Sequence, residues 1–193
     1  MRVASIVEGD GEVAALPILL RRLGDWKTRD VYTEVVTPIR VRRDRFLNRE
    51  DEFRRHILLA AAKSGDDGWI LVLLDADDAC PVELAGKILE RAKSCAPHRR
   101  ISVVLANREY EAWFIAAAAS LDGQRGFVFN AADIIEAELP RDAKGWLRER
   151  MASGAYGEMT DQPAFSARMD MQQAVERSRS FRKLCDEWSR QSR

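Results

Sequence analysis

The 193-residue chain has few of the residues that build zinc sites and disulfide frameworks. Its three cysteines, Cys80, Cys95 and Cys185, form no CxxC pair, and its two histidines are His56 and His98. An odd number of widely spaced cysteines argues against a disulfide framework and against a structural zinc site. The sequence also lacks the patterns GxGxxG, GxxxxGKS and GxxxxGKT, so a glycine loop that binds nucleotides is not expected.

Long apolar runs and net charge are missing as well. The longest uncharged apolar stretch is 112–119, far short of the roughly 18 residues that a transmembrane helix needs. The N-terminus enters a strand-like segment without the basic and apolar parts of a secretion leader, so we expect a cytoplasmic protein. Lys plus Arg and Asp plus Glu both number 31. The total charge therefore gives no argument for a nucleic-acid partner.

The residues that are present favour one α/β fold. Hydrophobic residues make up 46% of the chain and charged residues 32%, which leaves enough apolar material for a buried core. Strand patterns alternate with helical patterns over residues 1–122, and this order predicts a Rossmann-like, mostly parallel sheet flanked by helices. Residues 123–193 are expected to form a mainly helical extension packed on that core.

The periodicity of apolar residues places the individual elements. Strands are predicted at 3–7, 31–36, 69–74 and 101–105, with a further short strand at 127–129. Helices are predicted at about 14–23, 49–63, 81–94 and 109–119 in the core, and at 131–138, 143–151 and 171–189 in the extension. Pro17 is best accommodated in a first helical turn, so the first helix is expected to begin near Ala14.

Acidic side chains follow three of the predicted strands at the point where each strand ends. They are Glu8 and Glu12 after the first strand, Asp75 and Asp77 after the third, and Glu109 and Glu111 after the fourth. The carboxyl ends of parallel strands share one edge of a sheet, so these acids can converge there. Gathered carboxylates repel one another and need cations, and hard oxygen ligands favour Mg²⁺ or Mn²⁺.

Each acidic cluster also has an ordinary structural explanation. The turn from Glu8 to Glu12 is also compatible with exposed acids that have no function, and Asp78 with a helix cap before Pro81. Glu109 and Glu111 are also compatible with solvated positions in the first turn of a helix. Because they are two positions apart they do not share a helix face, so only one of them is expected to reach the site.

Arginines are concentrated in one segment of the chain. Those predicted to contact nucleic-acid phosphates are Arg40, Arg42, Arg43 and Arg45, together with the later pair Arg182 and Lys183. The alternative is a solvated surface, because acids such as Asp44 and Glu52 are interspersed. A positive segment beside an acidic metal site suits a negatively charged substrate.

Several segments resemble known protein families. Glu8-Gly9 with a second acid at Glu12, followed by a strand that ends in Asp75-x-Asp77, resembles the Toprim domain of topoisomerases, primases and OLD-type (overcoming lysogenization defect) nucleases. Nearly the whole chain resembles the bacterial family called domain of unknown function 4276. The segments that carry this second resemblance are Val7-Glu8-Gly9, Asp75-Ala76-Asp77, Ala106–Trp113, Asp161-Gln162 and Ser180–Leu184.

The resemblance implies a Toprim fold with Glu8, Asp75 and Asp77 in the catalytic and metal-binding positions, and Glu12 matches the second acid of the OLD-type motif. OLD-type relatives are nucleases that use divalent cations and are often encoded with, or fused to, ATPases in phage-defence systems. The chain shows no ATPase segment and no equivalent of the strand-cleaving tyrosine, which disfavours a topoisomerase.

These features lead us to expect a nuclease that uses Mg²⁺ or Mn²⁺ to hydrolyse phosphodiester bonds in DNA or RNA, working with a partner ATPase in phage defence. Asp75 and Asp77 would hold the cation, with Glu12 and either Glu109 or Glu111 completing the set, while Glu8 binds a second cation or handles the proton. Two alternatives remain open. One is a non-catalytic Toprim-like adaptor or sensor of an ATPase complex, and the other is a small-molecule phosphohydrolase with the same metal site.

Overall fold

The fold is built around a sheet of five parallel strands. A computed structural model describes residues 1–133 and 135–193 of the chain. The strands are β1 (Arg2–Val7), β2 (Glu34–Val35), β3 (Ile39–Arg40), β4 (Trp69–Asp75) and β5 (Arg100–Ala106). Their order is β2-β1-β4-β5, and β3 pairs with the last residues of β1. The predicted Rossmann-like α/β architecture is confirmed.

Helices cover both faces of the sheet. They are α1 (Asp10–Lys27), α2 (Arg43–Asn48), α3 (Glu50–Ser64), α4 (Pro81–Cys95), α5 (Ala112–Ala116), α6 (Ala143–Glu149), α7 (Asp161–Arg168), α8 (Met171–Arg177) and α9 (Arg179–Gln191). Short 3₁₀ segments lie at Ala118–Leu121, Gln124–Gly126 and Ala131–Asp133. Within the described residues, every helix is too short or too polar to cross a lipid bilayer.

Alternate side chains of the central strands enter two separate apolar layers. In β4, Leu71 and Leu73 face the layer that contains α1 and α9, whereas Ile70 and Val72 face the layer that contains α3 and α4. All four side chains are at most 1% exposed. A strand that is covered on both faces has a continuous run of apolar residues in its sequence, and residues 69–74 show this pattern.

The C-terminal segment packs on the same apolar layer as α1. Phe127, Phe165 of α7 and Trp188 of α9 are fully buried there together with Leu16 of α1. The ring of Trp188 stands edge-on to Trp69 of β4, with 5.9 Å between the ring centroids. The C-terminal helices thus pack on the sheet, as expected. The boundary between core and extension at residue 122 stays a prediction.

The first helix begins earlier than predicted. It starts at Asp10, and Pro17 lies in its interior instead of its first turn. The carboxylate of Glu12 accepts the backbone N–H groups of Glu8 at 3.0 Å and Gly9 at 3.1 Å, which satisfies donors that a helix start leaves free. Packing of the apolar face of α1 outweighs the missing hydrogen bond at Pro17.

The region between the first and third predicted strands also differs. The predicted strand at 31–36 is reduced to the two residues of β2, and β3 follows as a separate short strand. The arginine-rich segment contains α2, which was not predicted. Phe46 of α2 is fully buried against Phe53 of α3, with ring centroids 4.8 Å apart, and this contact stabilises a short helix in which half of the residues are charged.

The predicted helix at 109–119 is wrong in its length. The α-helix is limited to α5, and the segment continues as the 3₁₀ turn Ala118–Leu121. The backbone N–H of Tyr110 donates to Asp75 Oδ1 at 2.8 Å, so Glu109 and Tyr110 form a turn that is tied to the end of β4.

Further along the chain, the boundaries were only partly predicted. The predicted strand at 127–129 is a single antiparallel bridge between Phe127 and Met151, and the predicted helix at 143–151 ends at Glu149. The predicted helix at 131–138 includes Ile134, which lies outside the described residues; its first part is a 3₁₀ turn. Helix α7 was missed.

The predicted helix at 171–189 is divided into α8 and α9. Ser178 has an extended backbone between them, and its Oγ accepts the N–H of Phe181 at 3.0 Å while donating to Glu138 Oε1 at 2.7 Å. Ser is a favoured residue at the start of a helix, so this break had a signal in the sequence.

Gly11 generates a test of the contact between α1 and α7. A Cβ at this position would overlap Gln162 Oε1 and lie 2.7 Å from the carbonyl oxygen of Glu158. Because backbone atoms would have to shift, we expect Gly11→Ala to lower the free energy of unfolding by about 1–3 kcal/mol, as overpacking does. Urea unfolding of the purified protein measures this change.

The matched control is Gly86→Ala in α4, where an added Cβ would have no heavy atom within 4 Å. Replacing a helix-interior glycine with alanine should raise the free energy of unfolding by about 1 kcal/mol. Equal unfolding midpoints for Gly11→Ala and the unmodified protein would contradict the close approach of α1 and α7.

Candidate functional site

The predicted acidic residues converge at the carboxyl edge of the sheet. Glu8 follows β1 directly, Asp75 is the last residue of β4, and Asp77 comes two residues later. Since β1 and β4 are parallel neighbours, both chains leave the sheet at the same edge.

One guanidinium group connects Glu8 and Asp77. The Nη1 atom of Arg43 lies 3.2 Å from Asp77 Oδ2, and its Nε lies 3.9 Å from Glu8 Oε2. The second distance is too long for a hydrogen bond, and Glu8 Oε2 and Arg43 Nε both lack a hydrogen-bond partner among the described residues. Arg43 therefore supplies charge to this pair of carboxylates without satisfying Glu8.

Asp77 is held in a strained backbone conformation. Its φ is +50°, and Arg108 on the neighbouring loop has a φ of +69°. The two residues are joined because the N–H of Asp77 donates to the carbonyl oxygen of Arg108 at 3.0 Å and Arg108 Nη1 donates to the carbonyl oxygen of Asp77 at 3.1 Å. Left-handed residues other than glycine store strain of this kind most often at functional sites.

Asp75 lies deeper in the site than Asp77. Burial raises the pKa of Asp75 well above its usual range, and the nearby negative charges of Glu12, Glu111 and Glu8 raise it further. The same forces act on Glu8, since burial and the charge of Glu12 raise the pKa of Glu8 to about 7. These effects place Glu8, Glu12, Asp75 and Glu111 within one electrostatic neighbourhood.

Glu12 serves the start of α1 as well as the site. Burial raises the pKa of Glu12, while the hydrogen bonds that it accepts from Gly9 and Glu8 act in the opposite direction. Its exposed fraction is 5%. A carboxylate in the first turn of a helix is also stabilised by the helix dipole.

Glu109 and Glu111 point to different partners. Glu111 is fully buried, and its Oε1 accepts hydrogen bonds from Tyr156 Oη and Gln162 Nε2, both at 3.1 Å. Its Oε2 has no hydrogen-bond partner among the described residues. The carboxylate of Glu109 instead accepts the backbone N–H of Lys144 at 3.1 Å and so fixes the first turn of α6.

Lys144 is a site residue that the sequence did not indicate. Burial alone would lower its pKa, but the carboxylates of Glu111, Glu158 and Asp75 raise the pKa of Lys144 above its usual range. Its Nζ lies 3.1 Å from Glu158 Oε1. Lys144 also lowers the pKa of Glu8, Glu12, Asp75 and Glu111. A lysine in a short polar helix carries no local pattern that marks such a position.

Among the described residues, the four carboxylates with raised pKa values, Glu8, Glu12, Asp75 and Glu111, outnumber Lys144 and Arg43, the cations that lower those values. Burial raises the pKa of Glu111 to about 7, as it does for Glu8. In neither case do the nearby positive charges offset the cost of burying the carboxylate. The donor set is made of hard oxygens, and Glu8 Oε2 and Glu111 Oε2 are buried without hydrogen bonds in the part of the chain that is described. The oxygen atoms of these side chains are suitable ligands for a divalent cation.

In their present positions, however, these side chains do not form a complete metal-binding site. In residues 1–133 and 135–193, no three His, Cys, Asp or Glu side chains are grouped so that they could hold a metal ion. Glu12 is turned towards the backbone N–H groups of Glu8 and Gly9, and Arg43 is positioned between Glu8 and Asp77.

Most of the predicted phosphate-binding arginines share a cavity with the acidic edge. A cavity of about 600 Å³ is lined by Glu8 and Asp77 together with Arg40, Arg42, Arg43 and Arg45. A second cavity of about 240 Å³ shares Arg40, Arg42 and Arg45 and extends to Arg55 and His56. The two cavities thus form a continuous positively charged surface that begins at the carboxylates.

Arg182 and Lys183 are placed elsewhere. The Nη1 atom of Arg182 donates to the carbonyl oxygens of Val175 and Glu176 near the end of α8. Lys183 Nζ lies 2.7 Å from Glu187 Oε1, in a separate cleft beside β5. Neither residue lines the arginine-rich cavities.

The family model described as a domain of unknown function (DUF4276) matches residues 7–188. The chain belongs to this family. No curated protein and no solved structure matches it. The matched segment of this DUF4276 protein includes every acidic residue of the site as well as Arg43 and Lys144.

The raised pKa of Glu111 predicts a specific pH dependence of stability. Below its usual pKa of 4.5 the residue is protonated in both states, and between that value and about 7 only the folded state holds the proton. The stabilising contribution is therefore lost as the pH rises through about 7. The shift corresponds to roughly 3 kcal/mol.

We expect Glu111→Gln to remove this dependence. The free energy of unfolding of the variant, relative to the unmodified protein, should rise by roughly 3 kcal/mol between about pH 4.5 and about pH 8. Urea unfolding at several pH values gives the measurement. Glu83→Gln, on the exposed surface of α4, is the control and should follow the unmodified protein; an equal slope for Glu111→Gln would contradict the linkage.

Proposed function

We propose that this protein is a phosphodiesterase that uses Mg²⁺ or Mn²⁺ to hydrolyse DNA or RNA. The observation that carries the proposal is the shared cavity in which Glu8 and Asp77 meet Arg40, Arg42, Arg43 and Arg45. A hydrolase for phosphodiesters needs cation ligands beside groups that hold flanking phosphates, and this cavity offers both. We also propose that the fold is of the Toprim type and related to OLD-type nucleases, which would account for Glu8, Asp75 and Asp77 at the strand ends.

In this proposal Asp75, Asp77 and Glu111 hold the cation, and Glu12 joins them if it leaves the amides of Glu8 and Gly9. When bound, a divalent ion supplies charge neutralisation of the phosphate and lowers the pKa of water. Glu8 is suited to accept a proton at its free Oε2, because its pKa of about 7 lies near the working pH. Lys144 offsets the negative charge of Asp75 and Glu111.

The arginine-rich surface would position the substrate. Arg42 and Arg55 are exposed, and the described residues give neither of them an ion pair, so both are available to phosphates. Arg40 pairs with Asp10 at 3.0 Å in an exposed contact of little energetic weight. Arg45 lies 4.0 Å from the partly buried Glu52, a distance too long for a hydrogen bond. Phosphate oxygens are thus expected to compete for these side chains, and binding should weaken as the salt concentration rises.

A non-catalytic role is the second candidate, and one observation favours it. The Arg43 guanidinium occupies the gap between Glu8 and Asp77, where a catalytic cation would neutralise the same charges. A protein that keeps this arrangement permanently would act as an adaptor, and we propose a partner ATPase of a phage-defence system as its target. The experiments below separate the two candidates.

The central test is cleavage by the purified full chain. We expect Mg²⁺ or Mn²⁺ to support cleavage of plasmid, linear or single-stranded substrates, alone or with an ATPase encoded nearby. Asp75→Asn and Asp77→Asn should each reduce the rate by about a hundredfold, since even residues that only orient metal ligands contribute about 10- to 100-fold. Asparagine tolerates the left-handed backbone of Asp77, so the fold should persist.

The control is Asp25→Asn on the exposed surface of α1, which should cleave at the unmodified rate. Cleavage that survives Asp75→Asn unchanged would point to a contaminating nuclease. If neither cation supports cleavage with any substrate or with the ATPase, and the inactive protein still binds the ATPase, the adaptor role replaces the enzyme.

Arg43 provides an independent test of where the cation binds. Removing a positive charge about 3–4 Å from two carboxylates should strengthen cation binding, so we expect Arg43→Ala to lower the dissociation constant for Mn²⁺ by about tenfold. Titration calorimetry or electron paramagnetic resonance measures this constant without reference to activity. Arg2→Ala, which removes a cation paired with Glu34 at the start of β1, should leave it unchanged. An unchanged constant for Arg43→Ala would place the ion away from Glu8 and Asp77.

A further inference from the structure

A second cleft runs along the outer edge of β5, apart from the arginine-rich cavities. Its volume is about 540 Å³, within the range of clefts that bind small molecules. Strand β5 is the last strand of the sheet, and among the described residues β4 is the only strand that pairs with it. The cleft lies between α4 on one side of this edge and α9 on the other.

One wall of the cleft is apolar. It is formed by Val82, Ala85 and Leu89 of α4 and by Val103 and Leu105 of β5. The two β5 side chains are only 5% and 4% exposed, whereas Val82 at the rim is 81% exposed. The apolar surface is therefore recessed, which suits a slim ligand better than the flat face of a protein.

Gly86 keeps this wall open. It lies in the interior of α4 and lines the cleft, and an added Cβ would meet no heavy atom within 4 Å. A glycine in a helix interior costs about 1 kcal/mol relative to alanine. The space that it leaves is part of the cleft.

The opposite wall is a charged stripe on α9. It consists of Arg179, Lys183, Glu187 and Arg190. The carboxylate of Glu187 is already satisfied by Ser102 Oγ at 2.6 Å, by Lys183 Nζ at 2.7 Å and by Arg190. Arg179 is exposed and has no hydrogen bond or ion pair within the described residues. The stripe thus has three cations and one carboxylate, and Arg179 is its unpaired guanidinium. Glu138, the other carboxylate that lines the cleft, already accepts hydrogen bonds from Asn107, Ser178 and Ser180.

We propose that this cleft binds a small organic carboxylate with an apolar body. The apolar part would lie against α4 and β5, and the carboxylate would accept hydrogen bonds from Arg179, whose planar guanidinium matches a carboxylate in a bidentate arrangement. The assignment is independent of the proposed phosphodiesterase, because no residue of the acidic edge lines this cleft.

Decanoate is the probe, and decanol is the uncharged comparison. Titration calorimetry and ligand-observed nuclear magnetic resonance with the full chain should show saturable binding of decanoate and weaker binding of decanol. Arg179→Ala should weaken decanoate binding by at least about tenfold, because the carboxylate loses a bidentate pair of charge-assisted hydrogen bonds, and it should leave decanol unaffected. Arg21→Ala, an exposed arginine on α1, should bind decanoate like the unmodified protein.

Gly86→Leu tests the apolar wall without threatening the fold. The larger side chain fills the cleft and replaces glycine in a helix, so thermal stability should stay the same or rise while decanoate binding is lost. Gly86→Ala should retain binding. Nuclease and cation-binding assays are separate readouts, so failure here leaves the phosphodiesterase untouched.

Three results would overturn the proposal. They are equal binding of decanoate to the unmodified protein and Gly86→Leu, displacement of decanoate by a single-stranded oligonucleotide at the same site, and binding of acidic peptides with no binding of any small carboxylate. The second would make the cleft a nucleic-acid surface that includes Lys183, and the third would make it a protein-docking groove.

Discussion

The constraint on which the site depends is the repulsion among carboxylates that parallel strands bring to one edge. Asp75 cannot lie at the end of β4 without facing Glu8 after β1, because the two strands are paired in parallel. Burial removes the water that would otherwise screen these charges, and the pKa values of Glu8 and Glu111 rise to about 7 as a result. Such an edge is stable only when protons or cations compensate it, so the remaining elements at the site are best understood as sources of compensation.

The C-terminal segment supplies the part of that compensation that does not come from Arg43, so the site depends on how this segment packs against the sheet. Glu109 fixes the first turn of α6 through the N–H of Lys144, and the same helix then carries the Lys144 ammonium towards Asp75 and Glu111. Tyr156 and Gln162, on either side of the start of α7, donate to Glu111. Gly11 permits this approach because α7 comes so close to α1 that a side chain would collide with it. Glu8, Asp75 and Asp77 lie at strand ends, whereas Lys144, which lowers the pKa of Glu8 and Asp75, lies more than a hundred residues after Glu8 in the sequence.

This division explains what the sequence could and could not predict. Strands such as β4 are buried on both faces, so their continuous apolar runs predicted parallel strands. The acids could be identified because they follow these runs directly, at the strand ends. Lys144 was not predicted because its role depends on where α6 packs, and the local periodicity of the sequence does not encode that position. Helix α2 was missed because its stability comes from Phe46 packing on Phe53, although its composition indicates a loop. The break at Ser178 did have a signal, a serine able to cap a helix, but the apolar period of the flanking residues continued across it.

Lys144 and Arg43 differ in how firmly they are held at the acidic edge, and this difference bears on the proposed enzyme. Lys144 is fixed at both ends, by the bond from its N–H to Glu109 and by the ion pair of its Nζ with Glu158 at 3.1 Å. Arg43 comes from a short helix, its Nε has no hydrogen-bond partner among the described residues, and its contact with Glu8 is 3.9 Å. A bound divalent ion would compete with Arg43 for Glu8 and Asp77 much more readily than with Lys144 for Glu111. Exchange of Arg43 for an ion would leave the charge balance of Asp75 and Glu111 in place and release the guanidinium into the cavity that it already lines with Arg40, Arg42 and Arg45, where phosphates are expected. Cation binding and substrate binding would thus reinforce each other through one side chain.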